Sequence, residues 1–182
     1  MLHQSSCRCS LRGFMLATIG YEKSTLADFI ATLRHAGIDT LVDVRERAQS
    51  RRAGFSKTAL ANALNEAGID YIHLPELGDP KPGREAARAG KMDLFRKIYG
   101  NVMDSQSARS AIEQLVEMIG EKHVCLMCFE RDQRECHRKI ISDELENRLG
   151  IRAKHWDAVE GISNVRSSRR VFHSDQSAAA SL

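Results

Sequence analysis

Short apolar runs alternate along most of the chain with longer stretches in which apolar residues recur every three or four positions. Leu16–Tyr21 (LATIGY) predicts a strand, with Ser24 as the N-cap of a helix carrying Leu26, Phe29, Ile30 and Leu33 and stopped by Gly37. Thr40–Arg45 (TLVDVR) predicts the second strand. Ser56 then caps a helix through Leu60 and Leu64 that closes at Gly68, and Tyr71–Leu74 is a third strand. The stretch from Pro75 to Gly90 holds all three prolines and reads as a long loop. Helical spacing returns at Leu94, Phe95, Ile98, Tyr99 and Val102, and again at Ile112, Leu115, Val116 and Ile119. His123–Phe129 (HVCLMCF) is the most apolar strand and is expected at the centre of the sheet. A helix through Ile140, Ile141, Leu145 and Leu149 and a short strand at Ala153–Trp156 complete the pattern.

Strands alternating with helices predict an α/β fold. The expectation is a single three-layer Rossmann-like or flavodoxin-like domain over residues 15–156, with a mostly parallel sheet of about five strands. The segments LRHAGID at 33–39, LNEAGID at 64–70 and LENRLGI at 145–151 each join a helix end, a glycine and a strand entry. They mark αβ junctions rather than solenoid repeats. Residues 1–14 show neither period and read as an unstructured extension, with Met15 as the natural start. From Asp157 onward a Ser-rich stretch reads as a disordered tail.

Composition narrows the class. The chain has 182 residues, 42% of them apolar, enough for a core without disulfide staples. Its first residues lack the apolar stretch of a secretory signal, and no run approaches a membrane span. Five cysteines, an odd and uneven set, argue against a secreted disulfide framework. A cytoplasmic protein without membrane contact is expected. The net charge of +3 owes much to the first fourteen residues, which hold two arginines and no acid. It therefore says little about partners. The basic stretch from Lys81 to Lys97 has only Phe95 among it as an aromatic, so a solvated helix face explains it better than a nucleic-acid path.

Ligands of open parallel sheets collect at the carboxyl ends of strands, and those ends are rich in reactive side chains here. The first strand ends at Gly20, Tyr21 and Glu22. The second ends at Asp43, Val44 and Arg45 and runs into Glu46, Arg47, Ser50, Arg51 and Arg52. The third ends near His73, and the fourth at Cys128, Phe129 and Glu130, followed by the loop RDQRE and then Cys136, His137 and Arg138. Cys125 and Cys128 form C-x-x-C, yet residues three apart on a strand face opposite ways, which argues against shared zinc; no metal is expected. Cys125 reads as a buried hydrophobe. Cys136 opens a helix, where unpaired amides favour a thiolate. Cys128 and Cys136 are thus the candidate nucleophile and resolving pair, with Glu130 or His137 as proton handler. Arg45 and Arg138 are the candidate anion clamp, joined by Arg51, Ser50, Gly20 and Tyr21 around the substrate, and Asp43 orients.

TIGY at 18–21, LVDVR at 41–45, Ser50 and Arg51 with Phe55, YIHLPELG at 71–78 and LMCFERDQRECHR at 126–138 resemble, in order, the domain-of-unknown-function 488 family. The family's signature falls on Thr18, Ile19 and Gly20, on Asp43, Val44 and Arg45, on Leu77 and Gly78, and on Cys128, Glu130, Cys136, His137 and Arg138. The resemblance implies a compact α/β domain with a shared pocket and supplies no reaction. LVDVRE followed by a later strand ending in cysteine is similar, more weakly, to rhodanese-like sulfurtransferases, which implies a persulfide on Cys128. FERDQR departs from the glycine-containing cradle of those enzymes.

No Walker loop, no G-x-G-x-x-G after the first strand and no H-E-x-x-H is present, which removes support for common nucleotide-hydrolase, dinucleotide and metalloprotease readings. The expected function is a thiol-dependent enzyme acting on a phosphate-bearing or otherwise anionic substrate, with no cofactor. The alternative is a non-catalytic nucleotide or nucleic-acid binding module.

Overall fold

The computed structural model describes residues 15–164. Five strands, β1 (Leu16–Gly20), β2 (Thr40–Asp43), β3 (Asp70–His73), β4 (Val124–Cys128) and β5 (Lys154–Asp157), form one sheet in the order β3-β2-β4-β1-β5. Every pairing is parallel. Six helices accompany it: α1 (Leu26–His35), α2 (Lys57–Glu66), α3 (Lys81–Arg88), α4 (Met92–Met103), α5 (Gln106–Ile119) and α6 (His137–Leu149). β4 is central and buried throughout, as its unbroken apolar run predicts.

Side-chain alternation splits the core into two layers. Ala17, Ile19, Leu41, Cys125 and Met127 point to the face covered by α1 and α2, where Phe29, Leu33, Leu60 and Leu64 pack. Leu16, Val42, Val124, Leu126 and Cys128 point to the other face, covered by Tyr99, Ile112, Leu115, Ile141 and Leu145 of α4, α5 and α6. The result is a three-layer α/β domain. Because β4 sits between β2 and β1, helices leaving adjacent strands pass to opposite faces. That arrangement opens a crevice at the carboxyl ends of β1, β2 and β4. Among the described residues no helix is long and apolar enough to cross a membrane.

Two expectations need correction. Thr25, not Ser24, caps α1: its Oγ1 accepts from the Asp28 amide, while the Ser24 hydroxyl donates back to the Tyr21 carbonyl. The supposed loop from Pro75 contains a short 3₁₀ turn at Pro75–Leu77 and the helix α3. Pro80 is the N-cap of α3 and Pro82 lies in its first turn, where a missing amide loses no intrahelical bond. Structure continues past Trp156. β5 reaches Asp157, the Val159 amide donates to Thr32 Oγ1, and both the amide and hydroxyl of Ser163 donate to Asp28. The expected extension at 1–14 and the rest of the tail lie outside the described residues.

Candidate active site

The crevice forms a pocket of about 500 Å³. Tyr21 follows β1, the segment after β2 supplies Arg45, Arg47, Ser50, Arg51 and Arg52 among others, and Cys128 ends β4 just before Phe129 and Glu130. His137 comes from the start of α6, and Asp79, Arg84 and Arg88 come from the entry and body of α3. Tyr21, Arg45, Ser50, Arg51, Cys128, Glu130 and His137 are therefore brought together as the strand ends suggested.

Chemistry concentrates at the inner end. Cys128 Sγ lies 3.2 Å from Glu130 Oε2 and 3.7 Å from His137 Nδ1, and Cys136 Sγ lies 3.8 Å from the same nitrogen. His137 Nε2 is 2.8 Å from the Val44 carbonyl. A carbonyl only accepts, so Nε2 carries a proton and Nδ1 is left to serve the two sulfurs. Burial opposes charge on every one of these groups, and the outcome depends on what faces each. For Cys136, burial is outweighed by the hydrogen bond from Cys128 and by the charges of His137 and Arg138, which together hold the thiol well below its ordinary value. For His137, burial is outweighed by the Cys136 thiolate, raising the imidazolium to about 9. Cys128 has no such compensation, so burial and the Cys136 charge push it up. Burial likewise lifts Glu130 to about 7. The two sulfurs thus share one proton, with the charge on Cys136 and the thiol proton on Cys128.

The donor atoms of Cys128, Cys136 and His137 all lie within 4.8 Å of one another, a spacing that a soft metal ion would also accept. Cys125 is on the opposite layer, so C-x-x-C is not a ligand pair. The buried Arg138 guanidinium already places positive charge beside Cys136, which disfavours a cation there.

The cationic part of the site differs from the sequence reading. Arg45 is buried and spent: its Nε and Nη2 donate to Asp43 at 2.8 and 2.6 Å, and its Nη1 donates to Tyr21 Oη and the Phe55 carbonyl. Arg138 is 1% exposed and donates to the carbonyls of Glu130 and Arg131, pinning the segment after β4 instead of reaching the pocket. Nearer acceptors thus take most of the protons of both guanidinium groups, although Arg45 lines the pocket and Arg138 Nε has no partner. Asp43 orients Arg45 and accepts from Tyr71 Oη at 2.7 Å, and Ser50 Oγ accepts from the Arg52 amide. Gly20 does not touch the pocket; a Cβ there would overlap the Glu130 carbonyl, so its role is to let the β4 exit lie against β1. His73 sits behind the rim, its Nε2 2.8 Å from the Arg45 carbonyl.

Arg47, Arg51 and Arg88 line the pocket and are exposed, and their side chains make no hydrogen bond or ion pair among the described residues. They are the cations available to a ligand. Asp79, Arg84, Arg88 and Phe129 were not singled out from sequence. Three of them arrive with α3, whose prolines hid it, and Phe129 reads as one more apolar residue of the strand.

A family model described as Domain of unknown function DUF488 matches residues 25–145. The chain belongs to that family. No curated protein and no solved structure matches it. The DUF488 match spans β2, β4 and the start of α6; β1 and Tyr21, which follows it, lie just before the match.

Proposed function

We propose that the protein is a thiol-dependent enzyme acting on a phosphate-bearing or otherwise anionic substrate, with Cys128 as the nucleophile. The observation that carries this is a buried Cys128–Cys136–His137 cluster at the base of a pocket whose rim holds three unpaired arginines. Cys128, the sulfur that lines the pocket, gives its proton to the Cys136 thiolate and attacks an electrophilic centre of the substrate. A bond from Cys128 Sγ forms as the bond to the leaving group breaks, and the protonated Glu130 carboxyl supplies the proton with which that group departs. His137 keeps Cys136 anionic until the proton arrives. Arg47, Arg51 and Arg88 hold the anion.

The test uses two small electrophiles that differ in charge, iodoacetate and iodoacetamide. In both, the sulfur–carbon bond forms as iodide leaves. Peptide mapping is expected to place the first adduct on Cys128. The iodoacetate-to-iodoacetamide rate ratio should be about tenfold above that of free cysteine in the same solution, since each nearby cation steers the anion. Arg47→Ala with Arg51→Ala should abolish the excess. A ratio equal to that of free cysteine overturns the reading, as does stoichiometric tightly bound metal in the purified protein. Conversion of Cys128 to a persulfide by thiosulfate overturns it in favour of sulfur transfer.

A further inference from the structure

We infer that the ligand of this pocket is a nucleoside phosphate. The inference rests on the proposed reading of the pocket as the substrate site but requires none of its thiol chemistry. Three unsatisfied features of different chemistry share one pocket of about 500 Å³, a volume that suits a single nucleotide unit.

The first is the arginine group. Arg47 and Arg51 leave β2 and Arg88 ends α3, so unpaired guanidinium groups approach from two sides with forks that match phosphate oxygens. The second is Asp79. It is 6% exposed, lines the pocket, and its Oδ1 has no hydrogen-bond partner. It is held there by backbone design: a Cβ on Gly83 would overlap Oδ1, so α3 needs glycine at that position to let the carboxyl fold back. The carboxyl to which this oxygen belongs lines the pocket and offers an acceptor to a ligand hydroxyl or amino group, whereas a fully ionised phosphate oxygen brings it only like charge. The third is Phe129. Its ring packs edge-on to Tyr21 at 5.3 Å yet remains 42% exposed, one of three large apolar side chains so exposed among the described residues. An exposed aromatic at a cationic pocket is a stacking surface for a flat ring. A phosphate, a hydroxyl-bearing linker and a flat heterocycle together make a nucleotide. A sugar phosphate leaves Phe129 unused, and an inorganic polyanion leaves both Phe129 and Asp79 unused.

Calorimetric titration of the wild-type chain with the four ribonucleoside monophosphates, ribose 5-phosphate, adenosine and inorganic phosphate tests this. At least one nucleotide is expected to bind about tenfold or more tightly than ribose 5-phosphate, the margin of one stacked ring. Phe129→Ala should remove that margin while leaving ribose 5-phosphate unchanged. Asp79→Asn should weaken the nucleotide about tenfold and spare inorganic phosphate. A single-stranded oligonucleotide titrated in parallel separates a free nucleotide from one within a strand; binding of either upholds the nucleoside phosphate. If inorganic phosphate and ribose 5-phosphate bind as tightly as every nucleotide and the oligonucleotide, the inference is overturned while the iodoacetate result still stands. If a nucleotide binds with the expected margin but the iodoacetate excess is absent, the thiol reading falls and this one survives.

Discussion

Cys128 and Glu130 stand 3.2 Å apart at the pocket wall, and the state of that carboxyl sets how the thiol meets an anion. Burial raises Glu130 to about 7, so it is neutral below that pH and becomes a buried carboxylate above it. The iodoacetate-to-iodoacetamide ratio should therefore fall as pH rises through about 7, and Glu130→Gln should flatten the profile over that window. Its partner pair titrates elsewhere. The Cys136 thiolate forms at its lowered value and stays, and its ion pair with His137 lasts up to about 9, where His137 loses its proton. Thiolate absorbance near 240 nm should show one thiolate per chain at neutral pH, absent in Cys136→Ser, with the midpoint raised in His137→Gln. A chain with no thiolate at neutral pH would remove the ion pair. At the same scale, Arg45 teaches why residue type alone misleads. Asp43 occupies Arg45 with two hydrogen bonds in a site where neither is exposed. Asp43→Asn should destabilise the fold by about 3 kcal/mol in urea unfolding, because it strands a buried guanidinium. The thiols, Glu130 and His137 were legible as a convergence on strand ends. Which arginines stay free was not, since that depends on which acceptors lie within reach in space.

The elements carrying the site differ in how openly the sequence declares them. β1, β2 and β4 announce themselves by short apolar runs, and α4, α5 and α6 by their period. α3 does not, because Pro80, Pro82 and Gly83 look like punctuation while serving as cap, first turn and clearance for Asp79. A helix whose buried residues are only Gly83 and Ala86 offers little apolar stripe to detect. Yet α3 brings Arg84 and Arg88, and Arg84 in turn holds Glu46 at 2.6 Å across the pocket mouth. The β4 exit depends on close backbone contact with β1: the Glu22 amide donates to the Phe129 carbonyl at 2.9 Å, and Gly20 faces the Glu130 carbonyl. Gly20→Ala must push that segment outward. It should lower the melting temperature and cut Cys128 alkylation by iodoacetate, whereas Gly37→Ala, at a site with open space around it, should leave the alkylation rate unchanged. Equal alkylation in Gly20→Ala and wild type would show that the contact does not position the site.

At the scale of the molecule, strand order is the property least visible in the sequence. Parallel strands pair without needing to be neighbours in the chain, and nothing in a run such as HVCLMCF says that it inserts between β1 and β2. That insertion is nevertheless what gathers residues from three strand ends into one crevice. The contacts of residues 157–164 were also hidden, because these residues lack apolar period and bond α1 through polar groups. Ser163 donates twice to Asp28, and those bonds pull the Asp28 carboxyl down to about 2 from its ordinary 3.8. A folded-state value below the unfolded one adds stability that is present above about 3.8 and is lost as pH falls through about 2. A chain ending at Trp156 lacks Ser163, and also Ala158, which packs on the core face of α1 and α2. It should unfold at lower urea than the full chain at pH 7, and the gap should narrow as the pH is brought toward 2. If the gap is the same at both pH values, the 157–164 segment acts by apolar packing alone; if there is no gap, residues beyond 156 do not belong to the folded unit.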